Sequence, residues 1–153
     1  MGGDISVVSI VSIVIGFAIF GSLLWLVITC LLGVMSGWLG LREAYADNPN
    51  EPAIERFGSV SGSMGRFPPG GVQYGFGLTI DVCERGMRLS ASRFLSPLSR
   101  PVIIPWNDIK PEKAFGYTRL VLGEPEVGIL RLRNGLFDKI AASAPDGAMF
   151  GSK

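Results

Sequence analysis

The chain has 153 residues and carries 14 lysines and arginines, 13 aspartates and glutamates and no histidine. This near balance of charge excludes the strongly basic surface that recruits nucleic acid, so no nucleic-acid partner is expected. The absence of histidine excludes Ser-His-Asp and Cys-His nucleophile systems, the HExxH zinc motif and histidine proton shuttles. The sequence therefore predicts no catalytic residues, no metal site and no cofactor.

The first predicted element is an uncharged, apolar segment over residues 5–41. As one helix it would be about 55 Å long at ~1.5 Å per residue, well beyond the roughly 30 Å hydrocarbon core of a bilayer. A second span would need a polar turn, and the interior offers only Gly16, Gly21 and Ser22 for one. The sequence therefore predicts a single transmembrane helix with its core at residues 8–32.

The arginines nearest this segment, Arg42, Arg56 and Arg66, all follow it. By the positive-inside rule the N-terminus lies outside and the rest of the chain lies in the cytoplasm, at the inner (plasma) membrane. A cleaved signal peptide is the competing interpretation, but residues 1–4 carry no side-chain cation and the apolar segment far exceeds an h-region of about 7 to 15 residues. Residues 1–41 are therefore assigned to an outside segment and a single-pass anchor.

The sequence also bears on helix-helix contacts of the anchor and on the redox state of the two cysteines. Gly33 and Gly37 form a GxxxG motif, which predicts either a helix-helix contact in a homodimer or a glycine-loosened exit from the bilayer. Cys30 lies in the span and Cys83 lies far beyond it. We expect both cysteines to be reduced, small and buried rather than joined in a disulfide.

A short juxtamembrane helix is predicted over residues 38–46, ended by residues 47–49. Two prolines in residues 48–52 indicate a linker, so residues 42–57 are assigned to helix and linker. The apolar side of the helix carries Trp38, Leu39, Leu41 and Tyr45.

The segment 58–77 is crowded with glycine, serine and proline. It lacks GxxxxGK[ST], which argues against a nucleotide site. We expect a surface loop with a short strand at residues 58–64, where the glycines permit positive φ.

Strand patterns follow in the second half of the chain. Period-two alternation over residues 78–83 and 87–92 predicts a hairpin. Residues 101–106 form a short strand between two prolines, which suits a sheet edge. A further strand is predicted at residues 114–117, and a last hairpin joins 119–122 to 127–133.

A closing helix is predicted after this hairpin, with Asn134 as its N-cap. Pro145 and Gly147 end it, so residues 58–145 are assigned to one β domain and residues 146–153 to a flexible tail. The apolar face of the helix carries Leu136, Phe137, Ile140 and Ala141.

The segments GMRLS at residues 86–90 and VIIPWNDI at residues 102–109 resemble the GLxLS…IPWxDI pattern of small bacterial single-pass membrane proteins with a pleckstrin-homology-like (PH-like), GRAM-like domain. Residues 37–45 are similar to the segment that precedes the domain in that group. The motifs cover about residues 37–109, and the last hairpin and helix match by order alone. The resemblance implies an α+β fold, a transmembrane helix followed by a mainly antiparallel β domain with a C-terminal helix, and no assigned activity.

Two sets of residues in this region are given roles. Ile104, Trp106 and Ile109 are predicted to be structural core, with the indole N–H of Trp106 bonded to a carbonyl and Asp108 capping the next turn. The possible contacts with anionic lipid or a partner are Arg85, Arg88, Arg93 and Arg100, together with Lys110 and Lys113. Acidic residues are interleaved with these cations, so a solvated face is the alternative.

The sequence favours a membrane-anchored, non-catalytic binding or scaffold domain that engages a protein partner at the cytoplasmic face. The alternatives are an accessory subunit of a larger membrane complex and an anionic-lipid binding module. An enzyme using Asp81, Glu84 or Asp108 as acid and base is least favoured, because their spacing brings no pair together.

Overall fold

The computed structural model describes residues 7–45, 50–65, 70–92, 99–146, 148, 150 and 151. These residues form an α+β structure with a long N-terminal apolar helix, an antiparallel sheet of seven strands and a C-terminal helix. The predicted order of a helix, a β domain and a closing helix is confirmed at this level.

Helix α1 spans Val7–Met35, 29 residues with a mean hydropathy of 2.6, and the rest of the chain buries none of its most apolar window. At ~1.5 Å per residue it is about 43 Å long, so by length and composition it can cross a membrane. Its hydroxyls are satisfied within the helix, since Ser12, Ser22 and Thr29 each donate to the carbonyl four residues earlier at 2.8 to 2.9 Å.

Helix α2 spans Trp38–Ala44 and is separated from α1 by Gly37, whose φ of 76° breaks the helical path. Trp38 and Leu41 are buried, whereas Leu39 is exposed, contrary to its predicted place on the apolar side. One position along an α-helix rotates the side chain by roughly 100°, which carries Leu39 away from its neighbours' face. The predicted end of this helix, at residues 46–49, lies outside the described part of the chain.

The sheet has the order β4-β3-β2-β1-β7-β6-β5, with every pairing antiparallel. Consecutive strands β4 and β5 form its two edges, which agrees with the edge position predicted for residues 101–106. A short 3-10 turn, Trp106–Asp108, connects these edges. The strands are β1 Ala53–Met64, β2 Val72–Cys83, β3 Gly86–Ala91, β4 Val102–Pro105, β5 Ile109–Lys113, β6 Tyr117–Leu122 and β7 Gly128–Arg133.

The glycine-rich segment is mostly strand rather than the predicted loop, because β1 and β2 are each 12 residues long and occupy most of it. The strand predicted at residues 58–64 is confirmed as part of β1. Strand β1 also begins at Ala53, inside the predicted linker. Register shifts between Phe57 and Gly62 bulge β1, and the glycines permit this irregular, close-packed path. A Cβ added at Gly62 would lie 3.0 Å from the carbonyl oxygen of Arg131 on β7.

Two further local predictions are wrong. Residues 114–117 are not a separate strand: β5 already covers residues 109–113, and Gly116, with φ 83°, turns the chain into β6. Helix α3 spans Asn134–Ser143 without a side-chain cap. Asn134 instead donates to the Ala114 carbonyl at 3.1 Å and accepts from the Thr118 hydroxyl at 2.8 Å, which ties the β5–β6 turn to the start of α3.

The core lies between the inner faces of the strands, α2 and α3. Ile104, Trp106 and Ile109 are all buried in it, and Trp106 Nε1 donates to the Cys83 carbonyl at 3.2 Å. Phe137 and Ile140 of α3 are also buried, with Leu136 and Ala141 packed at the margin of the core. Helix α3 therefore closes the domain with the predicted apolar face.

Part of the segment predicted as a flexible tail is docked on this core. Phe150 makes edge-to-face contacts with Trp106 and Phe137, at ring centroid distances of 5.5 and 5.8 Å. The Gly151 N–H donates to the Ile109 carbonyl at 3.0 Å. These contacts lie beside the 3-10 turn that joins the two sheet edges.

Candidate functional site

Helix α2 fastens α1 to the β domain. Trp38 Nε1 donates to the Arg100 carbonyl at 3.1 Å, and the Tyr45 hydroxyl donates to Asp108 Oδ2 at 2.8 Å. Burial, together with the hydrogen bond and charge of Asp108, raises the pKa of Tyr45 to about 12. The carboxylate of Asp108 therefore serves this junction, rather than capping the following turn as predicted.

A buried ion-pair cluster lies on strands β1, β2 and β3. Asp81 is 2% exposed and receives two bonds from Arg56, from Nε at 2.8 Å and from Nη2 at 3.0 Å. Arg88 Nη1 lies 3.8 Å from Asp81 Oδ2, and its Nη2 donates to the Glu51 carbonyl at 2.9 Å. The hydrogen bond and charge of Asp81 raise the pKa of Arg56. The carboxylate thus lies between two cations.

The neighbouring thiol of Cys83 is buried, and burial raises its pKa, with the charge of Arg88 acting in the opposite direction. A raised pKa keeps the thiol protonated and therefore unreactive. Cys30 is also free. Cys83 is therefore buried as predicted, whereas Cys30 is only partly buried.

The structure does not bring the four predicted contact arginines together. Arg88 is turned into the Asp81 cluster, with 11% of its side chain exposed. Arg85 and Arg100 are exposed, but they lie at opposite ends of the β3–β4 pair. Arg93 lies outside the described residues. The two associated lysines each pair with a carboxylate at 2.8 Å, Lys110 with Glu124 and Lys113 with Asp138.

The three carboxylates considered for acid and base chemistry have different surroundings. Asp81 is ion-paired, Asp108 accepts from Tyr45, and Glu84 is exposed at the β2–β3 turn. Among the described residues, no group of three His, Cys, Asp or Glu side chains is placed to hold a metal ion.

Gly33 and Gly37 do not lie on one continuous helix. Gly33 belongs to α1, and a Cβ added there would meet nothing within 4 Å. Gly37 sits in the break before α2, where an added Cβ would lie 3.7 Å from the Val127 carbonyl oxygen of the β domain. In this chain Gly37 therefore contacts the domain, and Gly33 is the open position on the anchor.

Sequence reasoning missed an open groove of about 570 Å³ on the outer surface of β1, β2 and β7. Its polar lining comes from Ser61, Ser63, Gln73, Tyr74, Arg131 and Arg133. Cross-strand pairing places Gln73, Ser63 and Arg131 in one row across the three strands. The signal in the sequence was the alternation of arginine with leucine in residues 130–133, because period two sends the leucines inward and the arginines outward.

The electrostatics of this groove are unbalanced. Arg131 Nη1 donates to the Gly65 carbonyl at 3.0 Å. Within the described ranges, no carboxylate lies within 4.0 Å of Arg131 or Arg133. A polar groove whose two arginines have no carboxylate partner among the described residues is suited to binding an acceptor-rich group.

Exposed aromatic rings border the groove. Phe76 is 77% exposed, with φ 54°, and its N–H donates to the Ser61 hydroxyl at 3.2 Å. Tyr117, a lining residue, is partly exposed, and Phe115 is fully exposed on the turn that precedes it. A bulky residue at positive φ is strained, and this conformation holds the Phe76 ring in solvent next to the groove.

No protein-family model, curated protein or solved structure matches this chain.

Proposed function

We propose that this protein is a membrane-tethered, non-catalytic binding module, in which α1 crosses the membrane once and the β domain binds a protein partner at the cytoplasmic surface. The observation that carries the proposal is the exposed Phe76 ring, held at positive φ beside an arginine-lined groove. Aromatic residues and arginine are enriched where proteins bind one another. An exposed aromatic side chain on strained backbone is more costly than a polar residue in a relaxed turn, which supports a role for the ring outside the fold itself.

We assign the β domain to the PH-like, GRAM-like class. The support is the strand order β4-β3-β2-β1-β7-β6-β5, two meanders joined at β1, with a C-terminal helix that covers the core. The VIIPWNDI segment supplies the corner between the sheet edges, where Trp106 is buried. These features support the assignment to the class that the sequence resemblance implies.

The anchor geometry supports a domain held close to the bilayer. Trp38 and Leu41 are buried in the domain only a few residues after α1 ends at Met35, so little chain separates the membrane from the sheet. The cytoplasmic orientation rests on Arg42 and the positive-inside rule. Protease treatment of sealed right-side-out and inverted vesicles tests it: the domain should be cleaved only in inverted vesicles, and cleavage only in right-side-out vesicles would reverse the orientation.

An accessory subunit of a membrane complex is the second candidate, and the open position at Gly33 favours it. That residue lies on a helix whose apolar surface the chain leaves uncovered. A homodimer would use the same surface. In either case the partner would contact α1 rather than the groove. Lipid binding through Arg85, Arg88, Arg93 and Arg100 has weaker support, because Arg88 is committed to Asp81.

Site-specific photo-crosslinking in native membranes tests the proposal and separates the candidates. A benzoylphenylalanine at Phe76 or Phe115 should yield one discrete crosslinked protein, and the same probe at exposed Glu84, on the β2–β3 turn, is the matched control. A crosslink from Gly33 alone would favour the accessory subunit or homodimer. Failure of Phe76 and Phe115 to crosslink above the Glu84 control would contradict the proposed function.

A further inference from the structure

We propose that the groove over β1, β2 and β7 binds an extended segment of the protein partner that carries acidic side chains at alternate positions. The proposal deepens the function proposed above and rests on it. It is drawn from the juxtaposition of Arg131, Arg133 and Gln73 in one groove.

The first argument is charge. On the neighbouring strands β5 and β6, each cation has a carboxylate within 4.0 Å: Lys110 has Glu124, Lys113 has Asp138 and Arg119 has Glu112. No described carboxylate comes as close to either arginine of β7. These two side chains therefore lack the intramolecular neutralisation that their neighbours have, and an incoming carboxylate would supply it.

The second argument is a row of neutral donors beside the arginines. The amide of Gln73 and the hydroxyl of Ser63 lie in one row with Arg131 across β2, β1 and β7. A carboxylate that pairs with Arg131 can therefore accept hydrogen bonds from these side chains as well.

The third argument is spacing. Arg131 and Arg133 occupy positions i and i+2 of β7, so their side chains project from the same face of the sheet, about 7 Å apart. Alternate side chains of an extended peptide have the same separation. One acidic side chain can therefore meet each arginine without distorting an extended ligand, while Phe76 and Tyr117 contact its apolar neighbours.

The location of the groove favours a protein segment over a lipid headgroup. Strand β7 starts beside the end of α1, since Gly65 donates to the Ile129 carbonyl and a Cβ on Gly65 would lie 2.6 Å from the Met35 carbonyl oxygen. Arg133 lies four residues further along, roughly 13 Å away at ~3.3 Å per residue. A headgroup at the exit of α1 would reach the Arg131 end alone, whereas an extended chain covers both arginines.

The test selects a random peptide library on the full-length protein in nanodiscs of phosphatidylcholine. We expect enrichment of aspartate or glutamate at alternate positions. Arg131→Gln and Arg133→Gln should each weaken the best selected peptide about tenfold, the loss expected for one charge-assisted hydrogen bond. Lys139→Gln, at an exposed cation on α3, is the matched control and should leave binding unchanged.

Three results would overturn the inference. Selected peptides without acidic residues, or with affinities insensitive to Arg131→Gln and Arg133→Gln, would show that the groove is not an acidic-segment site. Loss of peptide binding when phosphatidylglycerol is mixed into the nanodiscs would identify a headgroup as the occupant. A selection that enriches no peptide would also reject the inference. In each case the crosslink from Phe76 decides independently whether the proposed binding function stands.

Discussion

Two arginine-bearing regions of the sheet differ in how their charges are used. On β1, β2 and β3, Arg56 and Arg88 flank the buried carboxylate of Asp81. On β7, Arg131 and Arg133 line a groove and have no carboxylate partner in the described part of the chain. An arginine is therefore available for binding where the strand register places no carboxylate beside it. The number of arginines in the sequence does not decide this.

The ion-paired region is structural, and Trp106 lies beside it. The loss of stability on replacing Trp106 gives the magnitude expected for a structural position. Its indole N–H bonds to Cys83, two residues after Asp81, and its ring meets Phe150. Trp106→Ala should lower the free energy of unfolding by about 3 to 5 kcal/mol through the lost contacts and the cavity. Chemical denaturation of the protein in detergent measures this, with Phe115→Ala, at a fully exposed ring, as the control. A change no larger than that of Phe115→Ala would contradict the role of Trp106.

Loss of the central carboxylate should have the next largest effect. Asp81→Asn removes the carboxylate that pairs with Arg88, whose side chain is only 11% exposed, and we expect a loss of about 2 to 3 kcal/mol in unfolding free energy. This loss of unfolding free energy is smaller than that expected for a fully buried ion pair, because the Arg56 side chain is 67% exposed. Asp138→Asn, which breaks the exposed pair with Lys113, is the matched control and should cost below about 1 kcal/mol. Equal effects of the two substitutions would remove the distinction between structural and surface charges.

The junction between anchor and domain carries a donor whose effect depends on pH. Tyr45→Phe should cost about 1 to 2 kcal/mol at neutral pH through the hydrogen bond to Asp108. Because the folded-state pKa of Tyr45 is raised from 10.0 to about 12, its contribution is complete below pH 10 and is lost as pH rises toward 12. The stability difference between the original protein and Tyr45→Phe should therefore shrink across that interval. Tyr117→Phe, at an exposed ring, is the control, and a constant difference for Tyr45→Phe would refute the linkage.

The sequence predicts those parts of the fold in which the local pattern and the tertiary environment agree. Alternation over residues 78–83 and 87–92 predicts the β2–β3 hairpin, and two prolines predict the edge strand β4. The glycine-rich segment was mispredicted, because glycines in a bulged strand have the same composition as glycines in a loop. Asn134 was mispredicted as a cap, because its partners Ala114 and Thr118 come from another turn.

The groove could be predicted only in part, for the same reason. The arginines of residues 130–133 lay in a predicted strand, so their common outer face followed from period two. Gln73 and Tyr74 lay in the predicted loop, so no register placed them beside that strand. The pairing of Arg88 with Asp81 likewise depends on the β2–β3 register, which brings these two residues directly opposite one another.

The smallest expected effect on stability is that of a substitution in the groove, in contrast to the large effect expected for Asp81→Asn. Arg133→Gln removes a charge that forms no ion pair with the described residues, so the free energy of unfolding should change by less than about 0.5 kcal/mol. Denaturation at low and high salt measures this, because relief of repulsion between the arginines would appear as slight stabilisation at low salt. A loss comparable to that of Asp81→Asn would mean that Arg133 is structural after all. A silent substitution that nevertheless abolishes the Phe76 crosslink would separate binding from folding at a single residue.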